Sequence, residues 1–290
     1  MVPSKERQKN IDVIQENIEL FESDIILKQV VANQIRRQEY ILENGIKYDW
    51  DSFEKHKTTK VEVTKEKSTE AAMRGEGRVA LLNFASATTP GGGVLKGSTA
   101  QEEGVCRTSS LYASISIKEA YEKFYNPHIK AKDVLHNDDI IYTPKVCIFR
   151  NEYFSILPKA NWKLADVITC AAPNLRAVPA NGNNLDESGK AKIISNEELA
   201  TIHKKRAVRI FESAAAHKVN TLILGAFGCG AFWNDPETVA KAYKEVIDTC
   251  GYLFDNIIFP VYCKNSDNPN YEIFKKVIGD KEIKWAEKAD

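Results

Sequence analysis

Apolar positions along the chain recur in two rhythms, one near 3.6 residues and one near 2. Residues 4 to 45 carry Ile11, Ile14, Ile18 and Phe21 at helical spacing among charges, which predicts a helix stopped by Gly45. Val61-Glu-Val63 alternates inside a charged stretch and predicts a short strand. A helix should begin at Ser68 or Thr69 as cap and end at Gly75-Glu-Gly77. Val79 to Phe84 is an unbroken apolar run and predicts a buried strand. Glu102 to Lys123 reads as helix, with Leu111, Ile115 and Ala120 among its apolar positions. Asp139–Tyr142 and Val146–Phe149 read as two strands separated by Thr143-Pro144, and Asp166–Cys170 as a third. Residues 174 to 194, rich in Pro, Gly and Asn, predict a long loop of the kind that carries function. A helix follows from Asn196, then a strand over Thr221–Leu224. Asp235 caps the next helix with Pro236 at its first position. Asn256–Val261 is the last predicted strand, and a charged helix closes the chain.

Strands alternating with helices predict an α/β protein, a mixed sheet with helices on both faces. The division expected is a helical N-terminal extension over residues 1–60 and a catalytic domain over 61–290.

Composition narrows the function. Lys plus Arg equal Asp plus Glu at 40 each, so no net field draws the chain to nucleic acid or to a membrane. No apolar run reaches the roughly 20 residues that span a bilayer. The charged start lacks an apolar signal region, which predicts a cytoplasmic protein. The six cysteines form no Cys-x-x-Cys pair and most lie in apolar surroundings, so buried reduced thiols are expected. The five histidines show no His-x-x-x-His spacing, and neither a metal site nor a cofactor is expected.

Two glycine-rich loops each follow a predicted buried strand, Pro90 to Gly97 and Gly225 to Gly230. Ligands of open α/β sheets bind beyond the carboxyl ends of the strands. Glycine lets the backbone approach a diphosphate and turn its N–H groups toward it. Other phosphate signatures fail. Gly92 and Gly97 have P-loop spacing, but Ser98 stands where the lysine belongs. Cys229 lies between glycines, yet a nucleophile elbow needs glycine where Phe227 and Ala231 stand.

The first loop leads into a carboxylate pair. Gly91, Gly92 and Gly93 are followed by the seven residues Val94 to Ala100 and then by Gln101-Glu102-Glu103. Consecutive side chains on a helix diverge by about 100°, so the two glutamates need not share one task. This triple glycine with Gln-Glu-Glu resembles the signature of the poly(ADP-ribose) glycohydrolases, in their microbial branch, whose catalytic core is a macrodomain. The resemblance runs from about Val61 to Val261. It implies a macrodomain-like three-layer α/β/α sheet and hydrolysis of ribose–ribose O-glycosidic bonds in poly(ADP-ribose), mainly from chain ends.

Carried onto this chain, the resemblance makes Glu103 the proton-transfer residue and Glu102 the residue that orients the ribose hydroxyls, with Gln101 supporting both. Glu103 gives its proton to the leaving ribose oxygen and then activates water, with no metal. The ligand-binding set is Gly91, Gly92, Gly93, Gln101, Ser86 and Asn83 on one side. On the other it is Gly225, Phe227, Gly228, Cys229, Gly230, Ala231 and Phe232, the last against the terminal ribose. The adenine pocket falls near Val63 and Thr64. The implied partners are poly(ADP-ribose) or ADP-ribose, with ADP-ribosylated proteins as substrates. Two alternatives stay open: a macrodomain hydrolase of mono-ADP-ribosylated targets, and a non-catalytic ADP-ribose reader. The second glutamate argues against the reader, because binding alone does not require it.

Overall fold

The computed structural model describes residues 3–45, 47–177, 190–263 and 269–285. Its centre is an eight-stranded mixed sheet. The strands are β1 (Glu39–Ile41), β2 (Thr58–Thr64), β3 (Val79–Phe84), β4 (Ile140–Ile148), β5 (Lys163–Cys170), β6 (Thr221–Ile223), β7 (Asn256–Pro260) and β8 (Lys281–Lys284). They lie in the order β1-β4-β5-β3-β6-β7-β2-β8. From β5 through β3, β6 and β7 to β2 every pairing is parallel, while β1, β4 and β8 are antiparallel to their neighbours.

The unbroken apolar run of β3 is what a strand covered on both faces requires. Ala80 and Leu82 point into one core, Val79 and Leu81 into the other. The first core takes its helical side from α8 (Asn196–Ala216), α9 (Pro236–Cys250) and α10 (Asn270–Val277), through Ile210, Phe211, Tyr243 and Phe274. The second takes it from α1 (Lys5–Ser23), α3 (Ser68–Arg74), α4 (Gln101–Thr108) and α5 (Leu111–Ile115), through Ile14, Ala71, Val105 and Leu111. Helix, sheet and helix thus form three layers, as expected.

Several element boundaries differ from the sequence reading. The predicted helix 4–45 breaks at Asp24, whose carboxylate accepts from the N–H of Ile26 and Leu27 and so caps α2 (Ile25–Arg37). Glu39–Ile41 then becomes β1, paired with β4. The predicted helix 102–123 ends at Ser109, whose backbone is extended and bridges Ile148 of β4. After α5 come α6 (Lys118–Ala120), a π turn over Tyr121–Tyr125 and α7 (Asn126–Ala131). Thr143-Pro144 does not divide two strands. β4 continues through it with a register shift between Thr143 and Val146, and the N–H of Lys145 turns to Asp166 Oδ1 at 2.8 Å. The charged helix expected after the last predicted strand is α10, and beyond it the chain adds an edge strand, β8, that the sequence reading did not foresee. Most of the predicted loop 174–194 lies outside the described residues.

Candidate active site

β3 and β6 are adjacent and parallel, with Leu81 opposite Ile223, so the two glycine loops leave the sheet side by side. The first loop is wound by its own backbone. The N–H of Gly92 donates to Thr89 O, that of Val94 to Gly91 O and that of Lys96 to Gly93 O. Gly91 and Gly92 lie at φ +67° and +57°, a conformation that L side chains rarely adopt. Ser86 starts the turn, its hydroxyl accepting from the N–H of Thr88 and Thr89.

The loop runs straight into α4, which carries the carboxylates. Gln101 ties that helix to β3: its carbonyl accepts from Phe84 N at 2.9 Å, and its amide donates to Leu82 O at 2.8 Å and to Ser68 Oγ at 3.0 Å. Gln101 is therefore a brace between α3, β3 and α4. Glu102 and Glu103 are 4% and 6% exposed. Both oxygens of Glu102 are engaged, one by Asn83 Nδ2 at 3.3 Å and the other by Ser86 N at 2.8 Å. Glu103 is held by one oxygen only. Its Oε1 accepts from Gly93 N at 2.7 Å, while its Oε2 is buried with no hydrogen-bond partner. Asn83 Oδ1 and Thr88 Oγ1 are likewise buried and unpartnered.

Burial pushes the Glu102 carboxyl well above its ordinary range, and the neighbouring Glu103 charge adds to this. The Ser86 N–H and the Asn83 amide oppose the shift. Arg107, one turn after Glu103, is lowered by desolvation, against which the Glu103 charge acts.

In the second loop Gly225 lies at φ +133° and Gly228 at φ +79°. A Cβ at Gly225 would come within 2.9 Å of the Phe84 ring and 3.0 Å of Pro260 O. One at Gly228 would meet Asn234 Oδ1 at 2.7 Å and the Cβ of Ala172 at 2.8 Å. Asn234 anchors the loop. It donates to Pro173 O at 2.7 Å, and its Oδ1 lies 2.7 Å from Nε2 of buried His203. Gly230 and Ala231 are exposed, and Phe232 is half-buried against the sheet core.

The structure thus brings Asn83, Ser86, Gly91–Gly93 and Gln101–Glu103 together in one hydrogen-bonded unit. Phe227 stands apart: its ring is fully buried, in edge contact with His203 and tilted against Phe84, so only its backbone belongs to the loop surface. Cys229 is also mostly enclosed, its thiol against Phe227 O and pushed up by burial, which disfavours a thiolate. The side chain of Val63 is core. Asn234 and His203 escaped the sequence reading. The only signal was Asn234 itself, a polar residue between Trp233 and the Asp235-Pro236 helix start. Among the described residues no group of three or more His, Cys, Asp and Glu is placed to hold a metal ion. No helix there is long and apolar enough to cross a membrane.

An eight-stranded mixed sheet between two helical layers, with paired glycine loops above its parallel centre, defines a macrodomain-like α/β protein. The family model described as microbial-type PARG, catalytic domain, matches residues 10–151. The fold is similar to that of a point mutant of poly(ADP-ribose) glycohydrolase from Thermomonospora curvata, with TM-score 0.79 and 29% identity over 93% of this chain and 99% of that one. It is also similar to poly(ADP-ribose) glycohydrolase from Deinococcus radiodurans in complex with ADP-ribose, with TM-score 0.70 and 30% identity over 86% of this chain and 96% of that one. The Thermomonospora curvata enzyme bound to the inhibitor ADP-HPD gives TM-score 0.76 and 29% identity over 93% and 99%. A search of curated proteins finds no match. The chain belongs to the microbial-type poly(ADP-ribose) glycohydrolases.

Proposed function

We propose that this protein is a poly(ADP-ribose) glycohydrolase that cleaves ribose–ribose O-glycosidic bonds, mainly from chain ends, and releases ADP-ribose. The observation that carries the roles is the asymmetry of the carboxylate pair. Glu102 has a donor on each oxygen, which suits a group that holds ribose hydroxyls in place. Glu103 has one oxygen fixed by Gly93 and the other unpartnered, which suits a proton carrier.

In this reading the diphosphate lies between the two glycine loops. Glu103 Oε2 gives its proton to the bridging ribose oxygen as the anomeric C–O bond breaks. The positive charge that develops on the anomeric carbon is stabilised by the nearby diphosphate. Water then attacks that carbon and returns a proton to Glu103. One carboxylate serves as acid and then base, unlike the paired scheme of most glycosidases. Metal independence, a cytoplasmic location and ADP-ribosylated proteins as polymer carriers belong to the same reading.

The test is incubation with purified poly(ADP-ribose) and, separately, with mono-ADP-ribosylated protein, with and without EDTA, followed by chromatography. ADP-ribose released from polymer and unaffected by EDTA is the expected result. Release from the mono-modified protein alone would assign the other macrodomain activity.

A further inference from the structure

The first helix makes contacts that burial of its apolar face does not require. Ile14 and Phe21 already anchor α1 in two apolar clusters. Yet its polar side chains reach backbone carbonyls of the glycine loop and of α4. Arg7 Nε donates to Lys96 O at 2.6 Å, and Asn10 Nδ2 to Gly97 O at 3.2 Å. Asn17 Nδ2 donates to Arg107 O at 2.9 Å, and its own oxygen is held by Arg150 Nε at 2.7 Å. Asn10, Asn17 and Arg107 are all buried. Arg107 closes the seam, donating from Nε to Asn10 O at 3.1 Å and from Nη2 to Ser98 O. Its guanidinium also lies 5.7 Å from the centre of the Phe154 ring.

Buried polar groups cost stability unless every one is satisfied, so apolar side chains would dock this helix more simply. What the polar seam adds is position. Ser98, held by Arg107, donates its N–H to Gly93 O at 3.1 Å, and the N–H of Gly93 holds Glu103 Oε1 at 2.7 Å. A continuous path of hydrogen bonds therefore runs from the Asn10 main-chain carbonyl through Arg107, Ser98 and Gly93 to Glu103, while the Asn10 side chain holds the same loop separately at Gly97 O. Arg107 also sits one helical turn from Glu103, on the same face of α4.

We propose that α1 is a positioning element of the active site, with Asn10 and Arg107 as positioning residues that set the Gly93 N–H and through it the Glu103 carboxylate. The inference rests on the catalytic role proposed for Glu103. It gives the N-terminal segment a task in turnover, where docking alone would give it one in stability.

The experiment compares wild type, Asn10→Ala, Arg107→Lys and the exposed control Lys9→Ala. Each is measured for kcat and KM on poly(ADP-ribose), for ADP-ribose affinity by calorimetry and for folded fraction by thermal melt. Asn10→Ala and Arg107→Lys should lower kcat per folded molecule by between about ten- and a hundredfold, the scale of a misplaced catalytic group. ADP-ribose affinity should stay within about threefold, because Glu102 and the second glycine loop are untouched. Arg107→Lys keeps the charge, but a single ammonium does not reproduce the fork between two carbonyls. Unchanged kcat per folded molecule in both variants overturns the inference, as does a kcat loss matched by an equal loss of affinity. Wild type inert toward polymer overturns the functional reading itself, and the inference with it. An active wild type and Lys9→Ala beside unaffected Asn10 and Arg107 variants overturn the positioning role alone.

Discussion

Gly92 and Glu103 share one space: a Cβ on Gly92 would lie 2.7 Å from Glu103 Oε1 and 3.0 Å from Glu102 Oε2. The smallest side chain at residue 92 must therefore move both carboxylates. The positive φ of Gly92 adds about 1–2 kcal/mol of backbone strain for any L residue. Gly92→Ala should lower kcat/KM on poly(ADP-ribose) by at least about a hundredfold. A variant with wild-type kinetics would separate the glycine run from the chemistry.

The second loop offers a cleaner probe of ligand grip. A Cβ at Gly230 meets nothing within 4 Å, whereas one at Gly228 strikes Asn234 and Ala172. Gly230→Val should keep the melting temperature of wild type and weaken ADP-ribose binding, since the added methyls would fill the exposed side of the loop. Gly228→Val should lower the melting temperature first, because the anchor through Asn234 is displaced. Full ADP-ribose affinity in Gly230→Val, read by calorimetry, would move the diphosphate away from this loop.

Glu103→Gln keeps the shape of the side chain and, with its carbonyl oxygen facing Gly93, the bond to that N–H. It removes the ionisable proton on which the role proposed for Glu103 depends. Turnover should fall toward the upper end of the roughly 10²–10⁴ range for general acid–base loss, with ADP-ribose affinity preserved within a few-fold. Single-turnover assays that retain more than about a tenth of wild-type rate would sink the assignment.

Glu102 should trade stability for function. Its carboxyl is held above the ordinary range of 4.5 by burial, so the folded state binds the proton more tightly than the unfolded one. Stability from this site is complete below about pH 4.5 and is lost as pH rises through the raised value. Glu102→Gln removes that loss. Asn83 can accommodate the new amide by turning its unpartnered Oδ1 toward it. Glu102→Gln should therefore melt higher than wild type at pH 7 to 8, and the gap should close near pH 4. An equal or lower melting temperature at pH 8 would contradict the assignment of Glu102 as a buried strained group.

His203 has the opposite sign. Burial depresses it from 6.5 to about 4, so the folded state resists protonation and stability is lost as pH falls across that interval. The site contributes roughly 3 kcal/mol to that loss. His136 is also lowered by burial and adds to the wild-type slope. His203→Gln can still donate to Asn234 and does not titrate. Its melting temperature should decline less steeply than that of wild type between pH 6.5 and pH 4. Parallel declines would show that another group governs acid sensitivity here.

The candidate active site was legible because its signals are local. A fully apolar strand, a glycine run and a carboxylate pair follow one another within twenty-five residues, Val79 to Glu103. The sequence reading put Glu102 and Glu103 at the start of a helix, where the structure has them one residue into α4. What stayed hidden depends on distant partners. Periodicity cannot show that Asp24 accepts from Ile26 and Leu27, so α1 and α2 read as one helix. Pro144 suggested a break, but the bulge at Lys145 is stabilised by Asp166, a residue on another strand. The family resemblance implied a ligand contact at Phe227. Its ring is instead committed to His203 and Phe84, both more than twenty residues away in sequence. The seam from α1 to the glycine loop joins residues nearly ninety apart and leaves no local trace.

The adjacency of β3 and β6 makes the two glycine loops the jaws of a caliper. Neighbouring strands are about 4.8 Å apart, a spacing enforced by the peptide hydrogen bonds of the sheet. The opening at the root of the jaws is thus dictated by main-chain geometry, and side chains only finish its lining. Helices on either face can exchange one apolar residue for another without changing that strand spacing. The tolerance of the gap is inherited from the sheet, which leaves most of the chain free to diverge while the jaws stay in register.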